Sequence, residues 1–128
     1  MVDCKTKRFR NEKGRIGTEM EQLKFCGINL ETGTENYGEE YIMELKKFIN
    51  GFDFMRLGQA VNGKRWESAM MACRRMSEMS EKLGLECFSR QFQGLRQNIA
   101  RKSEGEVKNI LSLMIRKRIQ IQNVLKNL

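Results

Sequence analysis

The chain has 128 residues, of which 40% are hydrophobic and 31% charged. That is the balance of a single globular domain with a core of its own, and it argues against wholesale disorder. Histidine and proline are both absent, and Lys plus Arg outnumber Asp plus Glu by 24 to 16, a net charge of +8. Without histidine there is no His general acid–base catalysis, no Ser-His or Cys-His nucleophile pair, no His metal ligand and no phosphohistidine chemistry.

Proline is the strongest helix breaker, so its absence permits helix along the whole length. The positive charge favours acidic partners, whether nucleic acid, anionic lipid or an acidic protein surface. Cys4, Cys26, Cys73 and Cys87 are widely spaced with no CxxC pair, so neither a zinc site nor a disulfide framework is expected. The longest uncharged apolar-rich run, Asn109 to Ile115, is far too short to span a bilayer. The basic N-terminus has no apolar stretch behind it. These features predict a reduced, cytoplasmic protein that binds no metal or cofactor and does not cross a membrane.

Residues 1–17 carry Lys5, Lys7, Arg8, Arg10, Lys13 and Arg15 around a single large apolar anchor, Phe9. So little to bury predicts a flexible, solvated tail, with the folded domain spanning 18–128. Thr18 and Glu21 have capping-box spacing and predict a short helix through Phe25, terminated by Gly27. Asn29 or Thr32 then caps a second short piece toward Tyr37. The first long helix follows, with Tyr41, Leu45, Phe48, Phe52 and Met55 at steps of four and three and Ile49 widening the stripe. Gly51 and Gly58 predict a kink within it, and Asn62-Gly63 a turn after it.

A second long helix is predicted over Trp66 to Leu83, with Ala69, Ala72 or Cys73, Met76, Met79 or Ser80, and Leu83 on one face. Gly84 ends it. The third runs from Leu85 to about Lys102 on the stripe Leu85, Phe88, Phe92, Leu95 and Ile99. Ser103 and Glu106 form another capping-box pair. They open a last helix with Val107, Leu111, Met114, Ile121, Leu125 and Leu128 near heptad spacing. Arg118 falls on that stripe and must snorkel or sit at its edge. No segment alternates like a strand. Long helices joined by short turns are antiparallel neighbours, so the expected fold is all-α. It is an up-down four-helix bundle with a short extra N-terminal helix.

Three segments resemble histidine-containing phosphotransfer (HPt) domains, over roughly Leu23 to the C-terminus. GINLETGTENYGEEYIMELKKFINGF is similar to the family's opening, a Gly-Ile-Asp, a short helix and a helix start with Tyr and Phe. NGKRWESA resembles the turn before the phosphohelix, and ACRRMSEMSEKLGL the phosphohelix itself, whose usual form is Ala-His-x-Leu-Lys-Gly followed by Leu-Gly. The resemblance implies an HPt-like four-helix bundle. Aligned on Leu83-Gly84, Arg74 stands where the family has its phospho-accepting histidine. Met76 takes the leucine position, Ser77 the lysine and Glu78 the glycine. A guanidinium keeps its proton above pH 12 and has no lone pair to attack an aspartyl phosphate. Ser77 cannot hold phosphate as the lysine does, and Glu78 adds bulk and negative charge where a receiver domain would approach.

The resemblance therefore implies a degenerate member, a scaffold without phosphotransfer. It would be a docking or regulatory protein for response-regulator receiver domains or a sensor kinase. The candidate docking surface is Met71, Arg74, Arg75, Ser77, Glu78, Glu81 and Lys82. The alternative is a basic helical module for nucleic acid or another acidic partner, using Arg116, Lys117 and Arg118 with Arg101-Lys102, although no aromatic residue is interleaved with them. Asp3 and Asp53 are the only aspartates, and no carboxylate pair, activated nucleophile or metal cage is suggested by any spacing. An enzyme is the least expected class.

Overall fold

The computed structural model describes residues 13–128, and among them every regular element is helical. The greater part of the basic N-terminal segment, with its Phe9, lies outside the described residues. Seven α-helices follow in order: α1 (Lys13–Phe25), α2 (Leu30–Tyr37), α3 (Tyr41–Asn50), α4 (Asp53–Asn62), α5 (Trp66–Lys82), α6 (Ser89–Ala100) and α7 (Glu104–Leu125). Short 3₁₀ turns, Gly38–Glu40 and Glu86–Phe88, lead into α3 and α6. No helix among the described residues is long and apolar enough to cross a membrane.

Apolar residues at steps of three and four close a continuous core. Tyr41, Leu45, Phe48, Met76, Leu83, Phe88, Phe92, Leu95, Leu111, Met114 and Leu125 are all buried, as the periodicity predicts. α5 packs between α4 and α6, α6 against α7, and α7 against α1, α3 and α4. Through the centre runs a chain of rings, Phe48–Phe54–Phe88–Phe92, with centroids 5.9, 5.9 and 6.1 Å apart and steeply inclined planes. Such tilted contacts each add about 0.5–1.5 kcal/mol beyond the area they bury.

Local chemistry explains several of the helix ends. Asn29 rather than Thr32 caps α2, its Oδ1 accepting from the Thr32 amide at 3.2 Å. Gly27 (φ +90°) and Gly84 (φ +78°) take left-handed conformations just after α1 and α5, where a β-carbon is disfavoured. The two turns they make are stitched together. The Asn29 amide donates to the Gly84 carbonyl at 2.7 Å, and the Cys87 amide donates to the Gly27 carbonyl at 2.9 Å. Asn36 Nδ2 donates to the Lys82 carbonyl at 2.9 Å, and the buried Tyr41 hydroxyl to the Leu83 carbonyl at 2.8 Å.

Four sequence expectations need correction. Thr18 does not open a helix, because α1 is already under way at Lys13. The helix beginning at Tyr41 does not kink but ends at Asn50, and α4 starts afresh at Asp53, while Gly58 lies inside α4. That break resets the helical register. Phe52 (64% exposed) and Met55 (53%) face solvent, and Phe54, Leu57 and Val61 take the core positions instead. Leu85 is buried but precedes a 3₁₀ turn, so α6 begins only at Ser89. Ser103 does sit at the start of α7, yet its side chain makes no capping bond. Lys102, at φ +56°, turns the chain there, and Glu104 and Glu106 in the first turn complement the helix dipole.

Candidate functional site

α5 is amphipathic, and its two faces divide the candidate residues. Ala69, Ala72, Cys73, Met76 and Ser80 turn inward. Met71, Arg74, Arg75, Glu78, Glu81 and Lys82 lie on the outer surface, with Met71 67% exposed. The structure thus brings six of the seven candidates to one accessible helix face.

Ser77 is the exception. It is buried at 9% exposure, on the flank of α5 that meets α6, and its Oγ accepts a hydrogen bond from Arg96 Nη1 at 3.1 Å. A small side chain at the edge of the apolar stripe is drawn into the α5–α6 contact, so Ser77 does not belong to the docking surface. Arg96 is a residue that sequence reasoning missed. It brings a further guanidinium to Ser77, at the inner edge of the face that carries Arg74 and Arg75, from 19 positions away, a contact that no local spacing reveals.

The electrostatics of the face are mild. Among the described residues Arg74 forms no ion pair. Arg75 approaches Asp53 of α4 at 3.8 Å, with its own side chain more than half exposed, and such pairs are worth little. Cys73, one position before Arg74, is buried in the core. Burial pushes its thiol up to about 11, and the nearby Arg96 and Arg74 only partly oppose that rise. Its Sγ lies 3.9 Å from the Phe92 carbonyl and packs as a small apolar group. The Ser77 hydroxyl is engaged by Arg96 and the Cys73 thiol is buried, so neither lies on the accessible face. The exposed groups suit binding: guanidinium forks for carboxylate or phosphate, and a flexible methionine for an apolar contact.

The second candidate region does not form one patch. Arg116 points outward, while Lys117 is half-buried near Cys87. Arg118 is turned inward, where its Nε donates to the Ile49 carbonyl at 2.6 Å and its Nη2 to the Gly51 carbonyl at 3.3 Å. Its guanidinium also sits 5.5 Å from the centre of the Phe54 ring. Arg118 thereby satisfies the end of α3 from across the fold. Among the described residues no group of His, Cys, Asp or Glu side chains is arranged to hold a metal ion. Comparison with protein families, with curated proteins and with solved structures finds no match to this chain.

Proposed function

We propose that this chain is a histidine-free, HPt-like signalling module. It docks onto the receiver domain of a response regulator or onto a sensor kinase in a reduced, cytoplasmic setting, and it passes no phosphoryl group. In this reading α3 with α4, α5, α6 and α7 are the legs of an antiparallel up-down four-helix bundle, and α1 and α2 are its N-terminal addition. The order of packed neighbours around the core agrees with it. So does the stitching of the two turns, because those bonds join the Gly-Ile-Asn segment to the Leu-Gly segment, two of the pieces that carry the resemblance.

The observation that carries the reading is Arg74. The residue aligned with the family's phosphoacceptor stands exposed in the middle of α5, without an ion-pair partner among the described residues, beside Met71, Arg75, Glu78, Glu81 and Lys82. A receiver's phosphorylation pocket is a cluster of carboxylates that normally holds Mg²⁺. Docked as the relatives dock, Arg74 would enter that pocket and bond to carboxylate, plugging the receiver rather than relaying phosphate through it. Glu78 and Glu81 oppose the same carboxylates and limit the affinity.

The test is binding of the full chain to purified receiver domains with and without Mg²⁺. The plug requires that Mg²⁺ weakens binding and that Arg74→Ala costs on the order of tenfold, about 1.4 kcal/mol. Binding that ignores both changes removes Arg74 from the interface, and no binding to any receiver or kinase overturns the reading. Incubation with a labelled, phosphorylated receiver is expected to leave this chain unlabelled, and acid-labile label on it would refute the loss of phosphotransfer.

A further inference from the structure

α4 and α5 are packed neighbours joined by the tight turn at Asn62–Arg65. On their solvent side lies an open trough of about 350 Å³. Its floor is low because Ala60 of α4 and Ser68 and Ala72 of α5 place only short side chains along the seam. Gln59 and the exposed Met71 form its walls. Arg65 stands at one end, and Arg56 and Arg75 at the other. Arg65 and Arg75 are ten residues apart along the sequence, about 15 Å of helical rise.

Three features make this trough more than a gap between helices. Gly63 leaves room for Arg65 to fold back over the turn, since a β-carbon there would strike its guanidinium. Arg56 and Arg65 have no carboxylate partner among the described residues, and Arg75 has only the weak, exposed contact with Asp53 at 3.8 Å. The middle of the trough is floored by the small side chains of Ala60, Ser68 and Ala72 beside Met71, whereas both ends carry guanidinium charge with little neutralisation.

We infer that the trough takes an amphipathic, acidic helix of a partner protein. The helix presents a carboxylate near each end, about 15 Å apart, and small or apolar side chains between them. Guanidinium forks match carboxylates in geometry, and Met71 adapts to whatever apolar group lies against it. A nucleic acid has no apolar stripe to bury on Ala60, Ala72 and Met71, and no aromatic side chain lines the trough to stack a base. Met71 and Arg75 belong also to the α5 face, so the inference rests on the docking reading and gives its partner a chemistry.

The test measures fluorescence anisotropy of the full chain with a hydrocarbon-stapled helical peptide. Its glutamates lie about ten residues apart, with alanine and leucine along the stripe between them. Two controls are run: a peptide of the same composition with the stripe scrambled, and a single-stranded oligonucleotide of equal formal charge. The patterned peptide is expected to bind at least tenfold tighter than either, and to perturb the amide resonances of Gln59, Ser68 and Ala72. Arg56→Glu combined with Arg65→Glu is expected to weaken it at least tenfold and Arg101→Glu to leave it unchanged, all variants keeping the parent's far-ultraviolet dichroism.

Equal binding of the scrambled peptide, tighter binding of the oligonucleotide, no binding of the patterned peptide, or indifference to the arginine pair would each overturn the inference. If receivers bind the Arg56/Arg65 variant as they bind the parent, docking stands and the trough falls. If the patterned peptide binds where no receiver does, the reverse holds.

Discussion

Arg118 offers the sharpest quantitative test of the packing. The last carbonyls of α3 have no partner within their own helix, because the chain breaks at Gly51 before α4 begins. Arg118 answers from α7 with a bond of 2.6 Å to the Ile49 carbonyl and one of 3.3 Å to the Gly51 carbonyl just beyond the helix, placing a positive charge at the negative end of α3 and against the Phe54 ring. Arg118→Met keeps the aliphatic stem and removes only the guanidinium. The short charge-assisted bond is worth about 1.5–3 kcal/mol and the long one little. The cation–π contact at this half-buried site adds about 0.5–1 kcal/mol. Water reaches part of the vacated site, so the net expectation is a loss of about 2–3 kcal/mol. Urea unfolding followed by circular dichroism should show this as a midpoint lowered by roughly 1–2 M with an unchanged slope. Arg116→Met, two positions away on the solvent side, should move stability by less than about 0.5 kcal/mol, and Arg118→Lys should fall between. If Arg118→Met proves no more damaging than Arg116→Met, the account of how α3 ends is wrong.

Three further outcomes are expected. Gly84→Ala forces a left-handed residue to carry a β-carbon that runs into the Asn29 carbonyl, so about 3 kcal/mol or more of stability is lost. Gly105→Ala, in open space within α7, should be neutral or gain up to about 1 kcal/mol, and equal effects in a urea melt would contradict the stitched-turn geometry. Tyr41→Phe leaves the buried Leu83 carbonyl without its donor and should cost about 1–2 kcal/mol by the same melt, an unchanged midpoint being the refuting result. Burial raises both the Cys73 and Cys87 thiols to about 11 and raises the Tyr41 phenol further in the same direction. The neutral thiols are favoured by folding, so their contribution is fully present below the unfolded value near 9 and is lost as pH climbs toward 11. Thermal melts across that window should show falling stability, and Cys73→Ala with Cys87→Ala should flatten the decline. A decline of the same steepness in that double variant would show that the thiols do not cause it.

The candidate site was legible in outline. Six of its seven residues fall on the outer face of α5 because a helix with Ala69, Ala72, Cys73 and Met76 inside has no other place for Met71, Arg74, Arg75, Glu78, Glu81 and Lys82. Ser77 was misplaced because it sits at the stripe's edge, where the neighbouring helix decides which side is in, and Arg96 supplies the bond that draws it inward. Arg56 and Arg65 carried no signal at all. Two isolated arginines in different segments become the ends of one trough only when α4 and α5 pack together.

The sequence by itself determined that the described chain is helical, that Gly27, Asn62-Gly63 and Gly84 interrupt the helices, and that the Tyr41 to Leu125 apolar set forms the core. Each follows from interactions within a few residues: three-and-four periodicity, backbone freedom at glycine and the absence of proline. Only the tertiary structure decided that α3 and α4 are separate helices with a reset register, putting Phe54 inside and Phe52 outside. Only it decided that Arg118 completes the end of α3 rather than joining a basic patch, and that the Gly27 and Gly84 turns lock to each other. Those contacts join residues tens of positions apart. Their geometry depends on how whole helices settle against one another, and that is not written in the local spacing.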